Sequence, residues 1–327
     1  MPEEVFPNVF RIEVPLPKNP LKFLNVYVLV GRDGTLVVDT GLNRPECREA
    51  LQQGLEALGL DPERTSVFIT HMHSDHSGLA PELSRRGARM MASRTDAAII
   101  NDRTGWEELM RFALACGLPE DRLREARDKH PGYKYRPIGA VEFEHISDGQ
   151  IIDLGSFRLR CLITPGHTAG HACLYEPDQQ LFLAGDHILE EITPNISQWQ
   201  DGINPLSDYL QSLDRVSGLA VGLVLPGHRR LFSGFRARIE ALKAHHERRL
   251  QEVLGLLDSQ PQTPYQLASR MQWDMSYASW QDFPIAQQWF ATGEALAHVS
   301  LLESRSQACR SWQGNRLVFS RRVPQRA

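Results

Sequence analysis

Short apolar runs alternate with glycine-rich loops over the first two thirds of the chain, a pattern that is typical of α/β proteins. Residues 9–38 are rich in β-forming side chains and predict strands. Residues 45–58 carry leucines at helical spacing, and the apolar run at residues 67–69 predicts a short buried strand. A helix over residues 77–86 and a strand over residues 88–92 continue the alternation. We therefore expect a buried sheet built in the order ββαβαβ.

The rest of the chain divides into a helical segment, a second group of strands and a helical tail. Residues 95–137 have a helical pattern and predict an insertion at the rim of the sheet, and apolar strands return at residue 141. After residue 232 the pattern predicts three helices and a hairpin, an order that suggests a winged helix. We expect a catalytic domain over residues 1–232, with the insertion at about 95–137, and a helical, winged-helix-like domain over residues 233–327.

Composition narrows the class of protein. A chain of 327 residues with 42% hydrophobic side chains can bury a substantial core, and a net charge of −4 argues against a protein that coats nucleic acid. The five cysteines are scattered without a CxxC pair, which favours free thiols. The N-terminus has no apolar signal segment, and no apolar run approaches the ~18 residues of a membrane span. We expect a cytoplasmic protein.

The strand predicted at residues 67–69 ends in a cluster of polar side chains. His71, His73, Asp75 and His76 follow it within six residues. Histidine is the commonest metal ligand, and carboxylate oxygens complete such sites. His71 and His73 point the same way in extended chain, whereas Asp75 and His76 can face a neighbouring position. One loop could therefore serve two adjacent metal ions.

Three later strands also end in glycine followed by histidine or aspartate. These segments are Pro165-Gly166-His167, Gly185-Asp186 and Pro226-Gly227-His228. Loops at one edge of a sheet gather into sites, so we expect these side chains to meet. Asp39, at the end of another predicted strand, is either a loop cap or a carboxylate that orients a metal-bound histidine, and we favour the second interpretation. His171 and His187 either hydrogen-bond to ligands or contact substrate.

In order and spacing, the four segments resemble the ligand motifs of the metallo-β-lactamase fold superfamily across residues 20–230. The resemblance implies an αββα sandwich with a two-metal site at one edge of two sheets. Thr168-Ala169-Gly170-His171 and residues 185–189 are similar to the glyoxalase II-type hydrolases, in particular to lactamase-like proteins with a C-terminal winged-helix tail.

The resemblance also implies how seven side chains divide between two metal ions. One ion would be bound by His71, His73 and His167. The other would be bound by Asp75, His76 and His228. Asp186 would bridge the two ions, and Asp39 matches the superfamily's supporting aspartate.

Such a site implies a metal-dependent hydrolase that uses a hydroxide shared by two metal ions. The ions would also polarise the oxygen of the bond that is cleaved. Asp186 would take part as the bridge, and Asp75 either as a ligand alone or also as a proton carrier. Zinc suits the histidine and aspartate set, although iron and manganese accept the same ligands.

Three functions remain open at this point. We expect hydrolysis of a small thioester or ester. The first alternative is a metal-dependent ribonuclease or phosphodiesterase whose basic tail contacts RNA, because six arginines and no acidic residues follow Glu303. These are Arg305, Arg310, Arg316, Arg321, Arg322 and Arg326. The second alternative is a non-enzymatic assembly protein with a vestigial site.

The expected partner is a small-molecule substrate, with RNA and a second copy of the chain as further candidates and no membrane. Four residues are candidate walls of a substrate pocket. Asn195 and Trp199 follow the predicted bridging aspartate, and Trp106 and Tyr133 lie in the predicted insertion.

Overall fold

The structure is a computed structural model that describes residues 1–60, 65–102, 105–258, 260–274 and 277–322. The chain forms two compact units. The first consists of Met1–Asp102, Lys134–Pro194 and Asp214–Ile239. The second consists of Arg103–Tyr133, Asn195–Leu213 and Glu240–Ala327.

Two sheets form the centre of the first unit. The first sheet has the strand order β1-β2-β3-β4-β5-β6-β7, antiparallel as far as β4 and parallel from β4 onward. Its strands are β1 (Glu3–Phe6), β2 (Val9–Pro15), β3 (Phe23–Val30), β4 (Thr35–Val38), β5 (Thr65–Phe68), β6 (Arg89–Ser93) and β7 (Phe143–Ile146). The second sheet has the order β12-β11-β10-β9-β8. Its strands are β8 (Ile151–Asp153), β9 (Arg158–Ile163), β10 (Ala172–Glu176), β11 (Leu181–Gly185) and β12 (Leu223–Pro226).

Helices and a terminal hairpin complete the described chain. The helices up to residue 134 are α1 (Pro45–Ala57), α2 (Ser74–Ser77), α3 (Ala80–Arg85), α4 (Arg94–Asn101), α5 (Gly105–Ala115), α6 (Leu123–Lys129) and α7 (Pro131–Lys134). The later helices are α8 (Pro205–Val216), α9 (Phe235–Leu256), α10 (Pro264–Arg270) and α11 (Ile285–Ser304). The hairpin pairs β13 (Ala308–Gln313) with β14 (Arg316–Arg321).

The packing of the first unit follows from strands that bury both faces. Between the sheets, Leu29 and Phe68 pack with Leu174 and Leu183 in one apolar cluster. The other face of the first sheet packs against α1, α3 and α4 through a second cluster. On the outer face of the second sheet, the ring of Phe182 lies 4.9 Å from Phe235 at the start of α9. The layers are therefore αββα, which confirms the predicted fold.

The second unit has a helical core of its own. Ala113, Leu118 and Ala126 pack with Trp289 of α11 in one cluster. The helix α10 begins with a capping box, because the side chain of Thr263 accepts from the N–H of Gln266 and the Gln266 side chain bonds in return. Three helices followed by a hairpin confirm the predicted order of the tail, whereas its winged-helix identity stays a prediction. Residues 103–133 of the predicted insertion belong to this unit.

One expectation about helices was wrong, and one helix was missed. A single helix was predicted over residues 77–86, but the structure has α2 and α3, so that Asp75 and His76 lie within a helical turn. The break falls at Gly78 and Leu79, just before Pro81, whose ring favours the first turn of a new helix. The helix α8 was not predicted, although Leu206, Tyr209 and Leu213 are buried at helical spacing.

Candidate metal centre

The polar ends of five strands meet in the first unit. Asp39 follows β4, the His71–His76 loop follows β5, and His167, Asp186 and His228 follow β9, β11 and β12. Among the described residues, three groups have ligand atoms that all lie within 4.8 Å of one another. These groups are His71, His73 and His167; His71, His76 and Asp186; and Asp75, His76 and His228. All seven residues predicted as ligands are therefore brought together.

The first group of histidines is compact. Nε2 of His71 lies 3.0 Å from Nδ1 of His73. The ring of His167 lies 4.8 Å from that of His71 and 4.6 Å from that of His73. Three nitrogen donors this close form one face of a tetrahedral zinc-type site.

The second group contains two histidines and a carboxylate. Nε2 of His228 lies 3.3 Å from Nε2 of His76 and 3.3 Å from Oδ2 of Asp75. Asp186 lies between this group and the first, because its Oδ2 is 3.6 Å from Nε2 of both His167 and His228. Its other oxygen, Oδ1, is 3.6 Å from Nε2 of His76.

The hydrogen bonds of His76 and His228 decide which ring nitrogen faces the cluster. Nδ1 of His76 lies 2.7 Å from Oδ2 of Asp39, and Nδ1 of His228 lies 3.0 Å from the carbonyl oxygen of Phe23. Both partners are acceptors, so each Nδ1 donates its hydrogen. In the neutral rings, the two Nε2 lone pairs then face each other. Such an arrangement is repulsive unless a proton or a metal ion lies between the two nitrogens, and it is the orientation of metal-ligating histidines.

Asp39 connects the end of β4 to this loop. Its Oδ1 accepts the N–H of Thr70 at 2.8 Å, while its Oδ2 accepts from His76. The residue is buried and has a φ of 67°, a left-handed conformation that aspartate tolerates better than most side chains. A strained backbone that aims a side chain at a cluster is typical of functional sites.

Burial and mutual charge set the protonation states of the cluster. Burial lowers the pKa of His73 to about 3, and burial together with neighbouring histidines lowers the pKa of His71. Burial alone would raise the pKa of Asp186, but His228 and His76 outweigh it and hold that pKa well below its usual range. Neutral imidazoles and ionised carboxylates are the forms that bind metal ions.

The acidic neighbours have the opposite effect on the second pair of histidines. Burial lowers the pKa of His228, but Asp186 and Asp75 outweigh it and raise that pKa above its usual value. The pKa of His76 is also raised, because Asp39, Asp186 and Asp75 outweigh burial. The cluster thus concentrates negative charge where a cation would bind.

The cluster also has room for a cation. Oδ1 of Asp186 is buried and accepts no hydrogen bond from the described residues. A Cβ atom at Gly227 would lie 2.7 Å from that oxygen and 2.8 Å from Cε1 of His76. Only a residue without a side chain leaves this space, and the donor set therefore fits metal ions of the zinc type.

His171 and His187 lie close to the cluster, next to Asp186. Nε2 of His171 accepts the N–H of Asp186 at 3.2 Å, and its Nδ1 lies 2.9 Å from Oγ1 of Thr164. His187 is buried, with its ring 5.9 Å from that of His171. A supporting role for both residues stays a prediction.

Sequence reasoning missed two residues of β3 that contact the ligand loop after β12. Asn25 donates through Nδ2 to the carbonyl oxygens of Pro226 and Arg229, each at 2.9 Å. The hydroxyl of Tyr27 donates to the same Pro226 oxygen at 2.8 Å. Neither residue could be found from local patterns, because both lie about two hundred positions from their partners.

The four candidate pocket residues belong to the second unit. Trp199 packs on Trp289 with ring centres 4.9 Å apart, and Trp106 lies 5.2 Å from Tyr133. Asn195 lies 3.5 Å from a carboxylate oxygen of Glu294. Their role in a pocket stays a prediction.

The described part of the C-terminal tail uses several arginines in contacts of its own. Arg305 pairs with Glu247 at 3.1 Å and Arg310 with Asp201 at 2.6 Å. Arg316 donates to the carbonyl oxygen of Leu114 at 2.7 Å. Arg326 lies outside the described residues.

The αββα layers and the histidine–aspartate cluster define a metallo-hydrolase of the metallo-β-lactamase type. The model of the metallo-beta-lactamase superfamily matches residues 20–228, and the chain belongs to this superfamily. The probable metallo-hydrolase YqjP of Bacillus subtilis (strain 168) is 26% identical over 325 residues, which cover 95% of this chain and 97% of that protein.

Further relatives extend the comparison. A protein of Aspergillus fumigatus named atrochrysone carboxyl ACP thioesterase is 24% identical over 77% of this chain and 66% of its own length. A metallo-beta-lactamase family protein from Thermus thermophilus has a TM-score of 0.80 and 32% identity, covering 97% of this chain and 100% of its own. A beta-lactamase domain protein from Burkholderia ambifaria has a TM-score of 0.83 and 27% identity, covering 98% and 94% of the two chains.

Proposed function

We propose that this enzyme hydrolyses a small thioester or ester with two divalent metal ions bound in the cluster. The observation that carries the proposal is the orientation of His76 and His228, whose Nε2 atoms face each other 3.3 Å apart beside Asp75 and Asp186. A relative named as an acyl-carrier-protein thioesterase supports the substrate class.

Each residue of the cluster has a part in this proposal. His71, His73 and His167 would hold one ion, Asp75, His76 and His228 the other, and Asp186 would contact both. When bound, the ions supply an activated water and polarise the carbonyl oxygen of the substrate. Asp39 and the carbonyl group of Phe23 keep two Nε2 atoms turned inward. The Asp75 side chain is 18% exposed and the Asp186 side chain 10%, so Asp75 is better placed to exchange a proton with solvent.

The alternatives have weaker support. The ribonuclease hypothesis depends on free positive charge in the tail, but Arg305 and Arg310 are ion-paired. The hypothesis of a vestigial site depends on a defective cluster, but all seven predicted ligands come together. Superfamily membership supports an enzyme.

The test is a panel of thioesters, oxygen esters, lactones, phosphodiesters and RNA with the zinc-loaded protein. We expect hydrolysis of thioesters or esters that stops after dialysis against a chelator and returns with zinc, iron or manganese. Hydrolysis of RNA or phosphodiesters alone would replace the substrate class with the first alternative.

The site itself is tested by Asp186→Ala. We expect loss of bound metal and a fall in kcat/KM of at least about 100-fold, because removal of one electrostatic partner of a transition state costs that much. The matched control is Asp153→Ala, which removes an exposed aspartate that lies outside the cluster and contacts the N–H of Gly155 at 2.8 Å and Arg158 at 3.7 Å. Full metal content and activity in Asp186→Ala would refute the bridging role.

A further inference from the structure

Asp96 is a buried carboxylate that lies outside the ligand cluster. It lies in the first turn of α4, directly after β6, and its side chain is enclosed by the first unit. The carboxylate accepts three hydrogen bonds. Its Oδ2 accepts the N–H of Met72 at 2.8 Å and the hydroxyl of Thr168 at 2.6 Å, and its Oδ1 accepts the N–H of Gly170 at 2.8 Å.

These three donors belong to the two loops that carry the first group of histidines. Met72 lies between His71 and His73 in the loop after β5, and Thr168 directly follows His167 in the loop after β9. The loop after β5 belongs to the first sheet and the loop after β9 to the second. The side chain of Asp96 therefore connects the end of β5 to the end of β9.

The atoms on both sides of the Asp96 carboxylate are closely packed. The backbone N–H of Asp96 donates to Oγ of Ser93 at 3.2 Å, a bond that caps α4 and does not involve the carboxylate. On the other side, a Cβ atom at Gly170 would lie 2.5 Å from Oδ1 of Asp96 and 2.3 Å from Oγ of Ser93. Glycine is thus required where the second loop meets the carboxylate.

We propose that Asp96 is a positioning residue for the metal position formed by His71, His73 and His167. Its carboxylate bonds to the two loops and not to the ligand nitrogens. By holding Met72 and Thr168 at one carboxylate, it fixes the separation of the two loops and so the geometry of the three imidazoles. The inference depends on metal binding as set out under the proposed function, but not on the identity of the substrate.

The chemistry of the side chain explains why aspartate is needed. An ionised carboxylate only accepts hydrogen bonds, and it can receive all three donors at once. In Asp96→Asn, the amide group would offer one acceptor oxygen and would turn its own NH2 group toward a donor. The N–H of Met72 or that of Gly170 would then face this NH2 group and lose its acceptor, while the size of the side chain is unchanged.

The experiment is a zinc titration of Asp96→Asn against a competing chelator, repeated with Co²⁺ to follow the absorption bands of each position. The variant His73→Ala identifies the binding step that belongs to the first group. We expect that step to weaken about 10–100-fold, the range for residues that support metal ligands, while the other step keeps its wild-type affinity. The Co²⁺ spectrum of the first position should change and that of the second should not.

Two further variants keep the test decisive. Ser93→Ala removes the cap of α4, and so destabilises the same helix, but leaves the three acceptor contacts; we expect both affinities to stay within about twofold, far below the change for a supporting residue. Thr168→Val removes one donor at nearly constant shape, and it carries the test if Asp96→Asn does not fold. We expect about a tenfold loss at the first position, the lower end of the same range.

The outcomes separate this inference from the proposed function. Unchanged affinity in Asp96→Asn and Thr168→Val would overturn the inference, and so would an equal loss at both positions that Ser93→Ala reproduces. A wild-type protein that binds two ions but hydrolyses no thioester or ester would overturn the proposed function and leave the comparison of affinities standing. A wild-type protein that binds no metal ion would overturn both.

Discussion

At the residue scale, a metal-binding histidine needs a fixed ring orientation as well as a suitable position. His76 and His228 each donate one N–H outward, to Asp39 and to the carbonyl oxygen of Phe23. The other nitrogen of each ring is thereby directed into the cluster, where it can bind a metal ion in place of a proton. The supporting contact thus decides which nitrogen binds, and its loss would leave the ring free to turn.

Substitution of Gly227 tests how closely the cluster is packed. In Gly227→Ala the new methyl group would meet Oδ1 of Asp186 at 2.7 Å and Cε1 of His76 at 2.8 Å. We expect the variant to lose at least one equivalent of bound metal and about 1–3 kcal/mol of stability through overpacking. Metal analysis and thermal unfolding give both quantities.

A matched control for this change lies directly before β12, whereas Gly227 directly follows it. In Gly222→Ala the nearest atom to the new methyl group would be Oε1 of Gln180 at 3.5 Å, an ordinary contact. This variant should keep both its metal and its stability. If Gly227→Ala binds metal as fully as Gly222→Ala does, the packing described for the cluster is incorrect.

At the element scale, β3 of the first sheet holds the ligand loop that follows β12 of the second. Asn25 bonds to two carbonyl groups of this loop, and its N–H donates to the oxygen of Gly227 at 2.7 Å. Because His228 also bonds to the carbonyl oxygen of Phe23, the beginning of β3 sets the position of one proposed metal ligand.

Asn25→Ala is expected to loosen this loop. The carbonyl group of Arg229 would lose this donor, which costs about 1–3 kcal/mol when the group stays buried, and the carbonyl group of Pro226 would keep only its bond from Tyr27. We expect lower stability to urea and weaker metal binding at the position that contains His228. Tyr27→Phe is the control, because it removes a single bond and should cost about 0.5–1.5 kcal/mol. A metal affinity that is equal in both variants and the wild type would argue against a role for β3.

A second contact between elements joins α9 and α11 in the second unit. Nδ1 of His298 lies 2.8 Å from the carbonyl oxygen of Glu294, so it donates there, and Nε2 of His298 accepts from Nδ1 of His246 at 3.2 Å. Burial lowers the pKa of His246 to about 2 and that of His298 to about 3. Both rings are therefore neutral in the folded unit, beside the positive charge of Arg249.

This pair should make the second unit sensitive to acid. In the unfolded chain the two histidines bind protons at a pKa of about 6.5, whereas in the folded unit they stay neutral at that pH. Their contribution to the free energy of unfolding is therefore complete above pH 6.5 and is lost as the pH falls toward 3. The loss is about 1.4 kcal/mol per pH unit for each histidine. Burial also lowers the pKa of His130 in this unit, to about 4, so in His246→Leu we expect the slope of stability between pH 6 and pH 5, on the order of 4 kcal/mol per unit for three histidines, to fall by about a third.

Tryptophan fluorescence can follow this transition, because all six tryptophans lie in segments of the second unit. Urea unfolding at several pH values between 5 and 7.5 gives the slope. A slope that is the same in His246→Leu and the wild type would show that other groups cause the acid sensitivity.

At the scale of the whole molecule, the proposed metal centre connects five separate stretches of the first unit. Ions that bind only the folded form stabilise it by mass action, by about 2.7 kcal/mol for a free concentration one hundred times Kd. Dialysis against a chelator should therefore lower the Tm of the first unit in calorimetry, and zinc should restore it. A Tm that does not respond to the chelator would mean that the cluster binds no metal in solution.

The two compact units do not follow the order of the chain. The second unit combines residues 103–133 with the C-terminal helices, for example through the N–H of Tyr265, which donates to the oxygen of Cys116 at 3.0 Å. The predicted division at residue 232, the cytoplasmic location and the homodimer stay predictions. Within the described residues, no helix is long and apolar enough to cross a membrane.

The sequence by itself determined the features that are local in the chain. The apolar run before His71, the repeated ends of strands in glycine and histidine or aspartate, and the identity of the seven candidate ligands could all be predicted, because periodicity and spacing act over a few residues. The helix α1 and the hairpin of β13 and β14 were confirmed for the same reason.

Only the tertiary structure decided how the candidate ligands are oriented and supported. Asn25 and its partner Pro226 are 201 positions apart, and Asp96 is 72 positions from Thr168. No local pattern marks such pairs, because their contact depends on the packing of two sheets and the loops between them. The sequence therefore identified which residues form the cluster, and the fold decided which ring nitrogens face its centre and which side chains hold the loops in place.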